Sequence, residues 1–188
     1  MKVKTIEKSK GNYKVTFDNN FCLFVDEDTL VKFKLIPNQE IESLDPIYKS
    51  IEMIKIYKKA ERFALYGKSE NQVIKYLNDL GVENTYDMII KLRKNHILND
   101  FRMIRNLQNK GYSYLKLEEK LKFYQFDQKD IDQALINYDE QIPLYKEFKT
   151  ALKKYEKEEY KKKQQKIYRY LVSKGFNEDK VMSLMNIN

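Results

Sequence analysis

The stretch Ser69-Glu70-Asn71-Gln72-Val73-Ile74-Lys75-Tyr76-Leu77-Asn78-Asp79-Leu80-Gly81-Val82 decides the fold, because it reads as one helix with both of its ends. Ser69 and Gln72 stand in the order of a capping box, whose two side chains satisfy N–H groups that the first turn leaves open. Val73 and Leu77 put an apolar stripe on one face. Gly81 then offers the left-handed residue that ends a helix, and Val82 the apolar residue that follows it. The layout returns at Leu117, Leu121, Tyr124, Gln125 and Phe126, followed by Ile131, Ala134 and Leu135. It returns again at Ile167, Leu171, Lys174, Gly175 and Phe176, followed by Val181 and Leu184. Leu77, Leu121 and Leu171 are equivalent, at spacings of 44 and 50 residues. A period in that range belongs to stacked units, each too small to bury its own core. The expected fold is mainly α, with tandem three-helix repeats in an elongated array whose long surface suits a long partner.

Working outward, residues 1–43 read as a small β element. Tyr13, Val15 and Phe17 alternate with polar residues, as do Phe21, Leu23 and Val25, so Asn19-Asn20 is expected to form a two-residue hairpin turn. A strand over about Val3–Lys8 joins through Lys10-Gly11-Asn12, and a short helix runs over Thr29–Leu35 before Pro37. Asp45-Pro46 opens the helical part as an N-cap with proline in the first helical position. Asn84, Asn99, Asp127 and Asn177 are expected to cap later helices, and Gly81, Gly111 and Gly175 to end them. The expected units are a β element over 1–43, repeat 1 over 44–96, repeat 2 over 97–139 and repeat 3 over 140–188. Lys146–Lys174 lacks Gly and Pro, so it is one long helix or two broken near Lys157–Lys163.

No run of the 188 residues reaches the about 18 apolar residues of a membrane helix, and no apolar run follows Met1-Lys2-Val3-Lys4 as in a signal peptide. A single cysteine, Cys22, rules out an internal disulfide and a cysteine-cluster metal site. These features fit a cytoplasmic protein. The net charge is +8, yet residues 1–45 carry −1 and residues 146–174 carry +7. Such asymmetry is the footprint of a nucleic-acid or nucleoprotein binder. Only five of the 36 basic residues are arginine, however, and the abundance of Lys, Asn, Ile and Tyr equally fits an AT-rich genome.

Catalytic chemistry has no foothold. His96 is the only histidine, no glycine-rich phosphate loop is present, and the paired carboxylates Glu118-Glu119 and Asp26/Asp28 suit solvated faces. The sequence reads as a binder, not an enzyme, with no cofactor.

Three segments resemble the RecX family of recombinase regulators. Ala60-Glu61-Arg62-Phe63-Ala64-Leu65-Tyr66-Gly67-Lys68-Ser69, followed by Val73 and Leu77, looks like the family's opening repeat. Ile97-Leu98-Asn99-Asp100-Phe101-Arg102-Met103-Ile104 is similar to the leucine-(Asn/Asp)-Asp signature that opens repeat two, and Lys110-Gly111 matches the Lys-Gly before its second helix. The N-terminal hairpin leading into Glu27-Asp28-Thr29-Leu30-Val31-Lys32-Phe33-Lys34-Leu35 resembles the β domain of low-GC Gram-positive members. Departures fall at Tyr66-Gly67-Lys68, at Met103-Ile104 and at Gln125, where the family has a more basic stretch, a small residue and a glycine. The resemblance implies a curved, basic protein that lies in the groove of the RecA filament on single-stranded DNA. It implies inhibition of RecA ATPase and strand exchange, some direct binding of single-stranded and double-stranded DNA, and a part in DNA repair and the SOS response.

Candidate contact residues are Lys58, Lys59, Arg62 and Lys68 in repeat 1, Arg102, Arg105 and Lys110 in repeat 2, and Lys161, Lys162, Lys166 and Arg169 in repeat 3. Tyr112, Tyr114, Tyr124, Tyr168 and Tyr170 are read as half-buried between helices or as stacking on bases. Asp100 is read as the cap of its own helix. Caps and stripes without a further apolar face fit a monomer. Two other readings stay open: a helical transcription regulator, which would need an Arg/Asn/Gln-rich recognition helix where helix 84–95 carries only Lys91, Arg93 and Lys94, and a protein-only adaptor.

Overall fold

The computed structural model describes residues 1–187. The chain divides into two compact units, Met1–Arg62 and Phe63 onward, with the division inside a helix.

In the first unit, β1 (Val3–Ser9), β2 (Asn12–Phe17) and β3 (Cys22–Val25) form an antiparallel sheet in the order β1-β2-β3. Lys10 and Gly11 both take positive φ, 43° and 84°, as a two-residue turn matched to strand twist requires. The β2–β3 connection departs from the expected Asn19-Asn20 turn. Of those two residues, Asn20 alone has positive φ, 60°. The Phe17 carbonyl accepts from Asn20 N–H at 3.0 Å, and Phe17 N–H donates to the Phe21 carbonyl at 2.8 Å. The loop is therefore three residues long, because Asn19 Oδ1 is engaged by Phe21 N–H at 3.0 Å as a local turn acceptor. Asp26 Oδ1 accepts from Thr29 N–H at 2.9 Å and so starts α1 (Glu27–Lys32). Val3, Val15, Phe17, Leu23, Val25 and Leu35 form the core, to which Ile47 belongs. Ile47 lies on α2 (Asp45–Leu65), which begins one residue earlier than expected, since the Leu44 carbonyl already accepts from Tyr48 N–H. Pro46 is tolerated there because first-turn N–H groups have no intrahelical partner. Cys22 is half-buried, with its thiol 3.5 Å from the Thr16 hydroxyl.

The second unit is helical throughout. Its elements are α3 (Glu70–Asp79), α4 (Tyr86–Lys94), α5 (Asp100–Asn109), α6 (Tyr114–Phe123), α7 (Gln128–Ile136), α8 (Gln141–Lys154), α9 (Tyr160–Ser173) and α10 (Glu178–Ile187). In chain order α2–α4, α5–α7 and α8–α10 make three sets of three. Lys146–Lys174 is broken in two, between Tyr155 and Glu159, slightly before the expected position. The capping box of Ser69 and Gln72 is present, and Asn99 and Asn177 cap α5 and α10 as expected. Asp127 precedes α7 but spends its carboxylate on Asn71, which donates to it at 2.9 Å. Asn84 accepts from Tyr86 N–H at 3.1 Å, beside the helix start and not at its cap position.

Leu77, Leu121 and Leu171 have no exposed surface. Each carbonyl accepts the N–H five residues on, from Val82, Phe126 and Phe176 at 3.1, 3.2 and 3.3 Å. The turn residue before each apolar closer takes positive φ: Gly81 at 80°, Gln125 at 59° and Gly175 at 84°. That bond set is the glycine-type helix stop expected from the sequence, and it satisfies carbonyls the last turn leaves open. A fourth copy ends α4, where Leu92 accepts from Ile97 N–H at 3.0 Å and His96 takes φ 57°. The lone imidazole is thus an exposed side chain at a helix stop.

Neighbouring repeats are joined by two recurring hydrogen bonds. Ser69 Oγ donates to the carbonyl of Tyr124, and Ser113 Oγ donates to the carbonyl of Lys174 at 2.8 Å. Each serine caps the second helix of one repeat and reaches the end of the second helix of the next. The first amide of that capped helix also finds a carboxylate across the joint. Glu70 N–H donates to Asp100 Oδ1 at 3.0 Å, and Tyr114 N–H to Glu140 Oε2 at 2.8 Å. Asp100 therefore caps α3 of the preceding repeat, while Asn99 caps its own helix. Glu140 is 2% exposed and also accepts from Lys180 Nζ at 3.0 Å.

Candidate nucleic-acid and recombinase interface

The basic residues singled out from the sequence fall on three helices, α2, α5 and α9, and on two connections, at Lys68 and Lys110. Lys58, Lys59 and Arg62 are exposed on α2, with Lys58 and Arg62 one turn apart on one face. Lys58 lines a cleft of about 200 Å³ with Lys55, Phe24 and Asp26. Lys68 is half-buried, its ammonium 5.1 Å from the Phe63 ring, which stacks on Tyr76 at 4.5 Å. That contact ties Lys68 down as packing as well as charge. Arg102 and Arg105 are exposed on α5, three residues apart and so on one face. On α9, Lys162, Lys166 and Arg169 follow one another along a single face, with Lys161 beside them. Lys166 is paired with Glu158 and lies 5.9 Å from the Tyr155 ring, so its charge is partly spent. The others, Lys161, Lys162, Arg169, Arg102, Arg105 and the three on α2, carry no ion pair among the described residues.

Lys110 is the candidate that the fold brings to other lysines. It stands at the end of α5 and lines two adjoining clefts, of about 340 and 360 Å³, at the joint between repeats 2 and 3. Lys146 lines the first, and Lys116 and Lys174 line the second. Sequence reasoning missed these three. They converge only because Ser113 draws the end of α9 onto the start of α6, a contact between residues 61 apart. Glu147 borders both clefts, accepting from Tyr170 Oη at 2.8 Å and lying 3.4 Å from Lys174 Nζ. Burial works to lower the Lys174 pKa, but Tyr170 and Glu147 outweigh it and raise the pKa above the ordinary lysine value, so this ammonium stays charged at neutral pH.

The tyrosines divide. Tyr112, Tyr124, Tyr168 and Tyr170 are half-buried between helices and Tyr114 is exposed. Tyr170 lies under the ammonium groups of Lys154 and Lys174, at 4.9 and 5.2 Å, and is occupied by them. On α4, Arg93 makes a two-pronged pair with Glu70, its Nε at 2.6 Å and its Nη2 at 2.5 Å. The arginine that a base-reading helix would need is committed to the fold.

Among the described residues Asp100 is the one carboxyl with a strongly displaced pKa, raised to about 6. Burial is the main cause; the Glu70 N–H bond opposes it, and the nearby charges of Glu70 and Asp130 add to it. The position is a joint between repeats, where Asp100 accepts the first amide of α3. Among the described residues no group of three or more His, Cys, Asp or Glu side chains is placed to hold a metal ion, and no helix is long and apolar enough to cross a membrane.

No family model matches the chain. Two crystal structures of RecX proteins share its fold. One superposes with a TM-score of 0.70 at 22% identity over 100% of this chain and 99% of that one. The other, from Lactobacillus salivarius, gives 0.54 at 21% identity over 71% of this chain and 96% of that one. Among curated proteins, the regulatory protein RecX of Leuconostoc mesenteroides is 28% identical, covering 93% of this chain and 70% of the relative. That of Streptococcus pyogenes serotype M5 is 30% identical over 201 aligned positions, covering 99% of this chain and 76% of the relative. Identity at that level along nearly the whole chain, on a fold with a three-stranded sheet and three-helix sets following it in sequence, makes this protein a member of the RecX family of regulatory proteins.

Proposed function

We propose that this protein is a non-enzymatic cytoplasmic regulator that binds the RecA filament on single-stranded DNA, lies in its groove and inhibits RecA ATPase and strand exchange. Membership of the RecX family carries this reading. The exposed lysines and arginines of α2, α5 and α9 support it, because unpaired cations on successive repeats suit a repeating anionic partner. Direct binding to DNA goes with it, through phosphates and with little sequence preference, since lysine acts as a point charge and reads bases poorly. The pairing of Arg93 with Glu70 leaves the transcription-regulator reading without its recognition helix. The protein acts as a monomer in this reading.

The test is ATP hydrolysis by RecA on single-stranded DNA with this protein titrated in. Inhibition at a fraction of the RecA concentration is expected. Unchanged hydrolysis at equimolar protein would overturn the reading.

A further inference from the structure

We propose that the groove at the joint between repeats 2 and 3 is the seat of a nucleic-acid strand's phosphodiester backbone, held by Lys110, Lys116, Lys146 and Lys174. The inference rests on the DNA-binding part of the function proposed above and gives it a place. Two clefts of about 340 and 360 Å³ adjoin there, sharing Lys110, Gly111 and Glu147. Four lysines face two carboxylates, Asp139 and Glu147, and both carboxylates are engaged. Asp139 accepts from Gln141 N–H at 2.8 Å, and Glu147 is held by Tyr170 and Lys174. Lys110 and Lys146 have no ion pair among the described residues, and Lys116 has only an exposed partner, Glu119 at 2.8 Å. Exposed pairs of that kind contribute little and give way to a stronger anion.

The equivalent joint between repeats 1 and 2 lacks this character. One repeat period before Lys116 stands Gln72, and before Lys110 stands Tyr66; one period before Lys174 stands Tyr124. The accumulation is therefore local to one joint and does not follow from the chain's general excess of lysine. An open groove lined by long, flexible ammonium groups suits a strand running through it, where a free phosphate would call for an enclosed nest of backbone N–H groups. Lys110 and Lys116 come from repeat 2, and Lys146 and Lys174 from repeat 3, so a seated strand bridges the joint.

The experiment compares the full chain with its Lys110→Gln/Lys116→Gln/Lys146→Gln variant on a 20-nucleotide oligothymidylate without RecA, over a salt series. Lys174 is left intact because its ammonium is already engaged, 3.4 Å from Glu147 and 5.2 Å from the Tyr170 ring, so its removal would also disturb the packing of the joint. Each phosphate contact contributes roughly 0.7 to the slope of log affinity against log salt on a single strand, so the slope should fall by about 2. A charge-matched variant, Lys75→Gln/Lys94→Gln/Lys129→Gln, should keep the wild-type slope, and thermal melts followed by circular dichroism should match for all three proteins. An unchanged slope in the groove variant, or an equal fall in the charge-matched one, overturns the groove while leaving the RecA reading in place. Equal displacement of the strand by pyrophosphate at the same phosphate concentration also overturns it, by assigning the groove to a free anion. A wild-type chain that inhibits RecA yet never binds the oligonucleotide removes direct DNA binding and the groove together.

Discussion

Ser113 Oγ lies 2.8 Å from the carbonyl oxygen of Lys174, and a Cβ placed on Gly175 would stand 2.9 Å from that same Oγ. One hydroxyl thus caps α6, closes the joint between two repeats and explains why the following residue is glycine. Gly175 also has φ 84°, so a side chain there is strained before any contact is counted.

The relationship predicts a coupled pair. Ser113→Ala removes the cap bond to Lys116 N–H and leaves the Lys174 carbonyl without its partner, at a cost of about 2 kcal/mol. Gly175→Ala costs about 1–2 kcal/mol for the backbone alone and more for the contact with Ser113. In the Ser113→Ala background the contact is gone and only the backbone cost remains. Urea unfolding of the two single variants and the double should give a double-variant loss smaller than the sum by more than about 0.5 kcal/mol. Strict additivity would separate the glycine from the serine.

Asp100 predicts a pH dependence whose sign is opposite to that of a salt-bridged carboxylate. Its folded pKa, about 6, lies above the ordinary aspartate value of 3.8, because burial disfavours the charge. The folded state therefore binds the proton more tightly than the unfolded state. Its contribution is most favourable below about pH 4 and is lost as pH rises toward 6. Asp100→Asn keeps an acceptor for Glu70 N–H and removes the charge. Melting curves at pH 5 and pH 7.5 should show the variant gaining on the wild type at the higher pH by about 1 kcal/mol, discounted for partial exposure. A variant that loses stability at pH 7.5 would mean that the charge itself holds the joint.

What the sequence could disclose follows from how far apart the cooperating residues are. The helix stops after Leu77, Leu121 and Leu171 were legible because a stop is written within six residues: an apolar position, a turn residue and an apolar closer. His96 and Gln125 take the same left-handed backbone without being glycine; His96 reads from the sequence as an imidazole beside a helix end, but without a glycine the stop that it makes after Leu92 is not announced. Ser69 was legible as a cap, but not as a donor to Tyr124, 55 residues on. In sequence Asp100 stands as the cap of its own helix, because Glu70 enters its environment only through packing. The site divides in the same way. The run Lys161-Lys162-Lys163 announces itself by density, whereas Lys116, Lys146 and Lys174 come from three helices or their ends and meet only across a joint. The three-residue loop after Phe17 is not legible in Asn19-Asn20, because Asn19 spends its side chain on Phe21 N–H instead of entering the left-handed region.

The last prediction concerns how inhibition of RecA is distributed along the chain. Lys58, Lys59 and Arg62 lie on α2, and Lys161, Lys162 and Arg169 on α9, all exposed and without ion pairs among the described residues. Reversing either set to glutamate should leave the fold within about 0.5 kcal/mol of wild type, as for surface positions generally. If separate repeats hold the filament at once, each contact raises the effective concentration of the next, and losing one set should weaken inhibition by about 10²-fold. The full chain is the right vehicle for this measurement. Cutting after Asp139 would take away Glu140, which accepts from Tyr114 N–H, and Lys174, which accepts from Ser113, so repeat 2 would lose both bonds of its joint. Two outcomes in the RecA hydrolysis assay tell against the shared grip. Undiminished inhibition by either reversed variant would confine the activity to the remaining repeats. Inhibition that vanishes when single-stranded DNA is added in excess, with RecA held constant, would mean that the protein acts by occupying DNA and never engages the filament.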